Sequence, residues 1–448
     1  MSFFLSKSYL QNYKATLVLA LPVIISQLGH IMVGVVDTAM VGQIGSEEQA
    51  AIALSNSLYY LVLVFGLGVS MGVTPLTAAA DSSKNKLECS ALLKHGIIVN
   101  TALGIILFLL LLIISPVLYS FDQKEDVVNK AIPFLNIMML GMIPLCIFSG
   151  FKQFTEGLSH TAVAMIITIG SNLVNILLNY IFIFGHWGFP EMGMIGSAWA
   201  SFYARTAMAI GMFLYVYYNK SFRDYWIHFK TIPVSKKLIK KILAIGIPSG
   251  LQWVFEVGAF AFAVIMIGWI GPNEQAAHQV ALSIAAISYM MASGLSAATS
   301  VRVGNQLGLN NRESLRTAGF SSFIMVLLFM GTSAIIFILG RNLFPAFFSK
   351  ELKVIQLSST LLIIAALFQL SDGVQVVALG ALRGLKDVKT PTIITLIAYW
   401  GIGLPMSYAL GFTLGLGLQG IWYGLTLGLT TAAVLLFLRF NYISKKAV

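Results

Sequence analysis

The chain is a succession of long apolar runs separated by short polar segments, and each run is long enough to cross a hydrocarbon core, which takes about 20 helical residues. The runs lie near residues 15–40, 53–79, 93–120, 130–150, 162–185, 193–218, 242–270, 277–301, 317–346, 354–380, 391–412 and 417–441. Strands of a membrane barrel would alternate apolar and polar residues over about 10 positions, and these runs do not alternate. The pattern predicts an all-α integral membrane protein of twelve transmembrane helices. Composition agrees, since 58% of the 448 residues are hydrophobic and 10% charged, against about 25% charged in soluble domains.

The net charge of +11 changes the picture only through its placement. If the N-terminus is cytoplasmic, one side of the membrane collects most of the lysines and arginines, with Lys220, Arg223, Lys230, Lys236, Lys237, Lys240 and Lys241 as the densest group. The other side has Lys124, Lys130, Arg341, Lys350 and Lys353. By the positive-inside rule this distribution predicts an even number of spans in the cell inner (plasma) membrane with both termini cytoplasmic. It accounts for the basic balance without a nucleic-acid partner. The first run is longer than a signal-peptide core and has no small-residue cleavage site, so it is expected to remain as a span. Cys89 and Cys146, set in apolar sequence, read as packing residues.

The runs repeat. Leu21-Pro22 matches Ile247-Pro248, and Ile44-Gly45-x-x-Glu48-Gln49-Ala50-Ala51 matches Ile270-Gly271-x-x-Glu274-Gln275-Ala276-Ala277 at the same offset. Gly68-x-Ser70 and Gly294-x-Ser296 keep that offset, while Gly157-Leu158 with Gly384-Leu385, and Gly193-x-x-Gly196 with Gly417-x-x-Gly420, follow after small shifts. The expected domains are therefore a six-helix bundle at 1–218, a basic cytoplasmic linker at 219–241 and a second six-helix bundle at 242–448. Repeats with an even number of spans share one orientation and are related by a pseudo-two-fold axis along the membrane normal, an architecture of transporters that place substrate and ion between the halves and alternate access by rocking.

Candidate chemistry comes from charges inside the spans, which are costly and therefore rare. Asp37, Glu256 and Asp372 lie well within apolar runs, with Arg205 as the basic counterpart. Each acid sits on a polar stripe at helical spacing. Gln27, His30, Gly34 and Asp37 share the first span, Asn172, Asn175 and Asn179 the fifth, Ser249, Gln252 and Glu256 the seventh, and Gln369, Asp372 and Gln375 the tenth. Neutral polar residues in spans also serve as interhelical hydrogen bonds worth about 0.6 kcal/mol. Three acids facing one arginine call for mobile cations as well. A carboxylate in low dielectric responds to proton, sodium or a cationic substrate, so two cations favouring opposite states exclude one another and enforce exchange. This reading predicts export of organic cations against sodium ions or protons.

Other signals fall away. Gly415-x-Gly417-x-x-Gly420 spells a dinucleotide fingerprint but follows no strand, and it reads as close helix packing. The sequence offers no phosphate-binding glycine-lysine loop, histidine metal pair or serine-histidine-acid set, so neither an enzyme nor a cofactor beyond the coupling ion is expected. The expected partners are small-molecule organic cations, sodium or protons, and membrane lipid around a monomer.

Phe255-Glu256-Val257, the run Glu274-Gln275-Ala276-Ala277-His278-Gln279-Val280-Ala281, and Asp372-x-x-Gln375-Val376-Val377 before Leu382-Arg383-Gly384, together with Pro22 and Asp37, resemble the multidrug and toxic compound extrusion family in its NorM-type branch. The resemblance covers nearly the whole chain. It implies a V-shaped pair of bundles with a central cavity, and efflux of cationic lipophilic drugs driven by sodium or protons. It implies a cation site at Glu256 and Asp372, the pair that would hold sodium as a metal ion, and a first-half site at Asp37 with Asn175 and Asn179. Gln27, His30, Gln252, Gln279, Gln369 and Gln375 are expected to form the supporting polar network. Where some members carry a tyrosine one turn before the tenth-span acid, this chain has Phe368. The alternative within the broader fold group is a lipid-linked oligosaccharide flippase, which needs a large cationic cavity for phosphates, where the spans offer Arg205.

Overall fold

The computed structural model describes residues 7–120 and 125–446, with the side chains of Lys7, Ser8, Tyr9, His30, Thr38, Ala39 and Ser46 outside the described residues. All elements among these residues are helices. In the first repeat they are α1 (Lys7–Val41), α2 (Ser46–Ser70, followed after a turn by Thr74–Ser82), α3 (Lys86–Ile114), α4 (Glu125–Leu140 and Met142–Gly157), α5 (Ala162–Phe184) and α6 (Gly193–Tyr218). The second repeat supplies α7 (Lys236–Gly268), α8 (Pro272–Gly308), α9 (Arg312–Gly340), α10 (Leu352–Gly384), α11 (Lys389–Leu396 continuing to Thr413) and α12 (Gly417–Lys446). Eleven helices among the described residues are long and apolar enough to cross a membrane. The remaining one, α6, has the length at 26 residues, about 39 Å. Ser197, Ser201, Arg205 and Thr206 dilute its apolar content, and it packs on α5 and on both parts of α4.

The sequence repeat is written into the backbone. Asn85 and Asn311 each cap a helix, accepting from Glu88 N at 3.1 Å and Ser314 N at 3.0 Å. The residue before each cap takes a left-handed conformation, Lys84 at φ 57° and Asn310 at φ 52°. Ser159 and Lys386 repeat the feature after α4 and α10, at 66° and 62°. A Cβ on Gly157 would meet Thr74 O, and one on Gly384 would meet Ser300 O, so the same close crossing is built twice. Asn85→Ala and Asn311→Ala should each lower stability by about 1 kcal/mol, read as a drop in thermal unfolding temperature that Asn→Asp at the same sites largely avoids.

Packing divides the molecule differently from the linker. One compact unit runs from Ile25 to Gly250, and the other takes the described residues up to Ile24 together with those from Leu251 onward. Both boundaries fall inside helices, two residues after Pro22 in α1 and two after Pro248 in α7. The first half of α7 therefore packs with the first repeat, and the first half of α1 with the second. Small residues make this possible. Gly68 and Gly72 on α2 face Gly250 and Gly246 on α7, backbone against backbone, and Gly294 on α8 faces the backbone of Ile24 on α1. Facing small residues four apart let membrane helices approach closely.

Each unit has its own apolar core. That of Ile25–Gly250 gathers Tyr59, Leu107, Leu111, Phe134, Leu135, Met139 and Ile183. The other gathers Ala263, Met266, Leu361, Leu362, Phe368, Tyr399 and Trp422. α11 departs from regular geometry, since Ile397–Gly403 and Ala409–Thr413 are wound as π-helix on either side of the Leu404–Tyr408 turn. Such widened turns occur frequently at functional sites, and the first of them carries Tyr399.

Candidate functional site

Two polar clusters form, one in each unit, the first around a single carboxylate and the second around a pair. In Ile25–Gly250, Asp37 on α1 accepts from Asn179 Nδ2 at 2.5 Å and from the Ser201 hydroxyl at 2.8 Å. Asn175 closes the set, accepting from Asn179 Nδ2 at 3.2 Å and donating to Ser201 Oγ at 3.3 Å. Asn172, one turn earlier on α5, donates to Gly29 O at 2.9 Å and ties α5 to α1 beneath the cluster. The asparagines of α5 at steps of three and four thus form a rail along α1, as their spacing requires. Arg205 is close enough to act on Asp37 electrostatically. It forms no ion pair there among the described residues; its guanidinium donates to the Tyr59 hydroxyl at 2.5 Å and lies 5.1 Å from the centre of that ring.

In the other unit, Glu256 on α7 and Asp372 on α10 are buried at 8% and 4% exposure and interact with each other. Neither forms an ion pair among the described residues. Glu256 accepts from Gln375 Nε2 at 3.4 Å and from the hydroxyl of Tyr289 on α8. Gln375 is held in turn by Tyr399, whose hydroxyl donates to Gln375 Oε1 at 2.7 Å. The π-wound turn that carries Tyr399 also turns Trp400, whose Nε1 donates to Phe255 O at 3.0 Å, so α11 is fastened to α7 beside Glu256. The Asp372 carboxyl accepts no hydrogen bond among the described residues. One turn before it, Gln369 is fully buried with neither amide atom partnered. Buried polar groups of this kind require an explanation such as water or an ion.

Other residues named from sequence lie elsewhere. Gln252 donates to Thr392 Oγ1 at 3.0 Å and to Val388 O at 3.3 Å rather than reaching Glu256. Gln279 is exposed and takes no side-chain part in these hydrogen bonds, while Gln27 is half-buried on α1. The side chain of His30 falls outside the described residues. Phe368 is buried against Phe260 and Trp422, with ring centres 5.9 and 5.8 Å apart. The phenolic oxygens near Glu256 therefore come from Tyr289 and Tyr399 on neighbouring helices.

Sequence reasoning missed Ser201, Tyr289 and Tyr399. Lys152 and Glu156, in the last turns of α4, are both buried and lie 3.8 Å apart, four residues along the helix. Arg383 is buried too, near Tyr289. Arg205 is thus joined by Lys152 and Arg383 as a basic residue inside the helical units.

Among the described residues no group of three or more histidine, cysteine or acidic side chains could hold a metal ion. What Glu256, Asp372 and Gln369 present is a set of hard oxygens, which take a proton or a hard cation in preference to a soft metal.

A family model of MatE matches the chain twice, over residues 22–181 and again over 248–409, one match to each repeat. The chain belongs to the MatE family. Multidrug resistance protein MdtK of Yersinia pseudotuberculosis is 33% identical over 445 residues, covering 98% of this chain and 97% of that protein. MdtK of Proteus mirabilis is 33% identical over 446 residues, covering 98% of each. Among solved structures, a eukaryotic MATE transporter superposes with a TM-score of 0.89 at 22% identity, covering 98% of this chain and 99% of its own. A multidrug resistance MATE family transporter in an outward-facing conformation gives 0.90 at 20% identity, covering 97% and 96%. This MatE protein is accordingly a multi-pass membrane transporter and not an enzyme, with the fold those structures share.

Proposed function

We propose that this MatE protein is a secondary-active multidrug exporter that expels cationic lipophilic compounds in exchange for sodium ions or protons, by alternating access. Its relatives are named multidrug resistance proteins, and the pair Glu256 and Asp372 carries the reading here. Two carboxylates buried together without a basic partner need a cation that comes and goes. Asp372, Gln369 and Glu256 offer that ion its oxygens, with Gln375, Tyr289 and Tyr399 holding Glu256 in place. Asp37, held by Asn175, Asn179 and Ser201, is a second cation site in the first unit. A chain with both termini cytoplasmic in the inner membrane would couple inward ion flow to outward drug flow.

The test is transport in proteoliposomes with a sodium gradient and a pH gradient imposed separately. Ethidium should accumulate against its gradient under one of them. Failure of both to drive accumulation by a protein that still binds ethidium would overturn the proposal.

A further inference from the structure

We propose that the segment from Tyr218 to Lys241 is a docking surface for anionic phospholipid headgroups. The sequence reads here as a basic linker, and the structure builds the segment against α3. The Lys86 ammonium pairs with Asp224 at 2.5 Å, and its hydrogen bond holds that carboxyl below the usual carboxylate range. Ser90 donates to Tyr225 O, Lys94 donates to Ile232 O at 2.7 Å, and Ser235 N donates to His95 Nε2 at 2.8 Å. Burial pushes the Tyr225 phenol up to about 12. These contacts belong to a fixed surface.

What that surface presents is an aromatic layer with a cationic fringe. Trp226 Nε1 donates to Val216 O at 2.9 Å, which folds the segment back on the end of α6. Its ring lies 5.6 Å from Tyr217 and 4.6 Å from Phe229, while Phe213 stacks on Tyr217 at 5.7 Å. Tyrosine and tryptophan at the end of a span sit at headgroup depth. Tyr218 and Ile227 beside them are 75% and 61% exposed.

The acids near this layer are already engaged, since Asp224 pairs with Lys86 and Glu88 with Lys241 at 3.3 Å. Lys220, Arg223, Lys230, Lys236, Lys237 and Lys240 are exposed and form no ion pair among the described residues. Cations spread along a segment suit a layer of headgroups better than one phosphate, which needs donors converging on a point. Basic residues beside a span each contribute to anionic-lipid attraction to an extent that corresponds to about fivefold in affinity. The proposal is independent of what the transporter carries.

The full-length protein in neutral detergent, exposed to equimolar phosphatidylglycerol and phosphatidylcholine, should retain phosphatidylglycerol selectively in native mass spectra, and less of it as salt rises. Lys236→Gln/Lys237→Gln/Lys240→Gln should weaken that retention about a hundredfold at low salt, and Arg223→Gln/Lys230→Gln by about twentyfivefold. Arg341→Gln/Lys350→Gln should leave it unchanged. The two basic-segment variants lie at different positions, so misfolding of one, seen as a lowered unfolding temperature in neutral detergent, leaves the other to decide. Equal retention of both lipids by the unaltered protein, or unchanged retention in a folded variant, would overturn the proposal. So would selective stripping of lipid by inorganic phosphate against chloride at matched ionic strength, which would assign the cations to a soluble phosphate.

Discussion

Asp372→Asn and Glu256→Gln should each abolish ion-driven accumulation of drug while leaving the protein folded in the membrane. Both substitutions keep shape and remove charge. Moving one elementary charge through 100 mV is worth about 2.3 kcal/mol, or roughly fiftyfold accumulation at equilibrium. A variant uncoupled from the ion should therefore fall from a ratio on the order of fifty to a ratio near one. Stability should not fall with it and should rise at high pH, because each change removes one of two like charges held together in the interior. The double variant should transport no worse than either single one, since residues that act as a unit are not additive. Ethidium accumulation in proteoliposomes checks the first point and thermal unfolding the second. Retained gradient-driven accumulation in both single variants would remove the pair from the mechanism.

Gly68→Leu should produce the largest loss of folded protein of any single change considered. A Cβ at Gly68 would stand 2.5 Å from Gly250 Cα and 2.9 Å from Ser249 O. Both obstacles are backbone, so no side chain can rotate away, and the cost exceeds the 1–3 kcal/mol typical of overpacking. Gly246→Leu should fail similarly, since Val69 O occupies the space its Cβ would take. Gly170→Leu is the control, with nothing within 4 Å of its Cβ position. The yield of monodisperse protein after detergent extraction should collapse for Gly68→Leu and Gly246→Leu and remain near that of the parent for Gly170→Leu. Equal yields would mean that the α2–α7 seam is not a close contact.

Much of this organisation is legible in the sequence because membrane helices advertise themselves. Apolar runs set the spans, and one offset relates Pro22 to Pro248 and Glu48 to Glu274. The rail of Asn172, Asn175 and Asn179 could be read from helical spacing, and the structure brings the last two to Asp37. Ser201 was hidden because a serine among alanines and aromatics in α6 looks like a packing residue. Tyr289 and Tyr399 were hidden because an aromatic in a span is ordinarily apolar surface, and only tertiary contact shows whose carboxylate or amide its hydroxyl meets. Lys152 and Glu156 close the last turns of α4, and their four-residue spacing is what sets the two buried charges side by side. Gln279 was drawn in by its motif, yet it sits on an exposed face of α8. Boundaries between units could not be read at all, since contacts made by half a helix leave no mark on its hydropathy.

That exchange of half-helices has a consequence for how the chain can be taken apart. Because Lys236–Gly250 completes the unit that runs from Ile25, and the described residues up to Ile24 complete the other, a protease nick between Tyr218 and Lys236 should leave the two fragments interlocked and co-purifying. A gene truncated at the same place should yield a first piece missing one of its own walls and prone to degradation. Rescue should come from the complementary piece supplied in the same cell, and swapping whole repeats between relatives should succeed only when the crossover points at Ile24 and Gly250 travel with them.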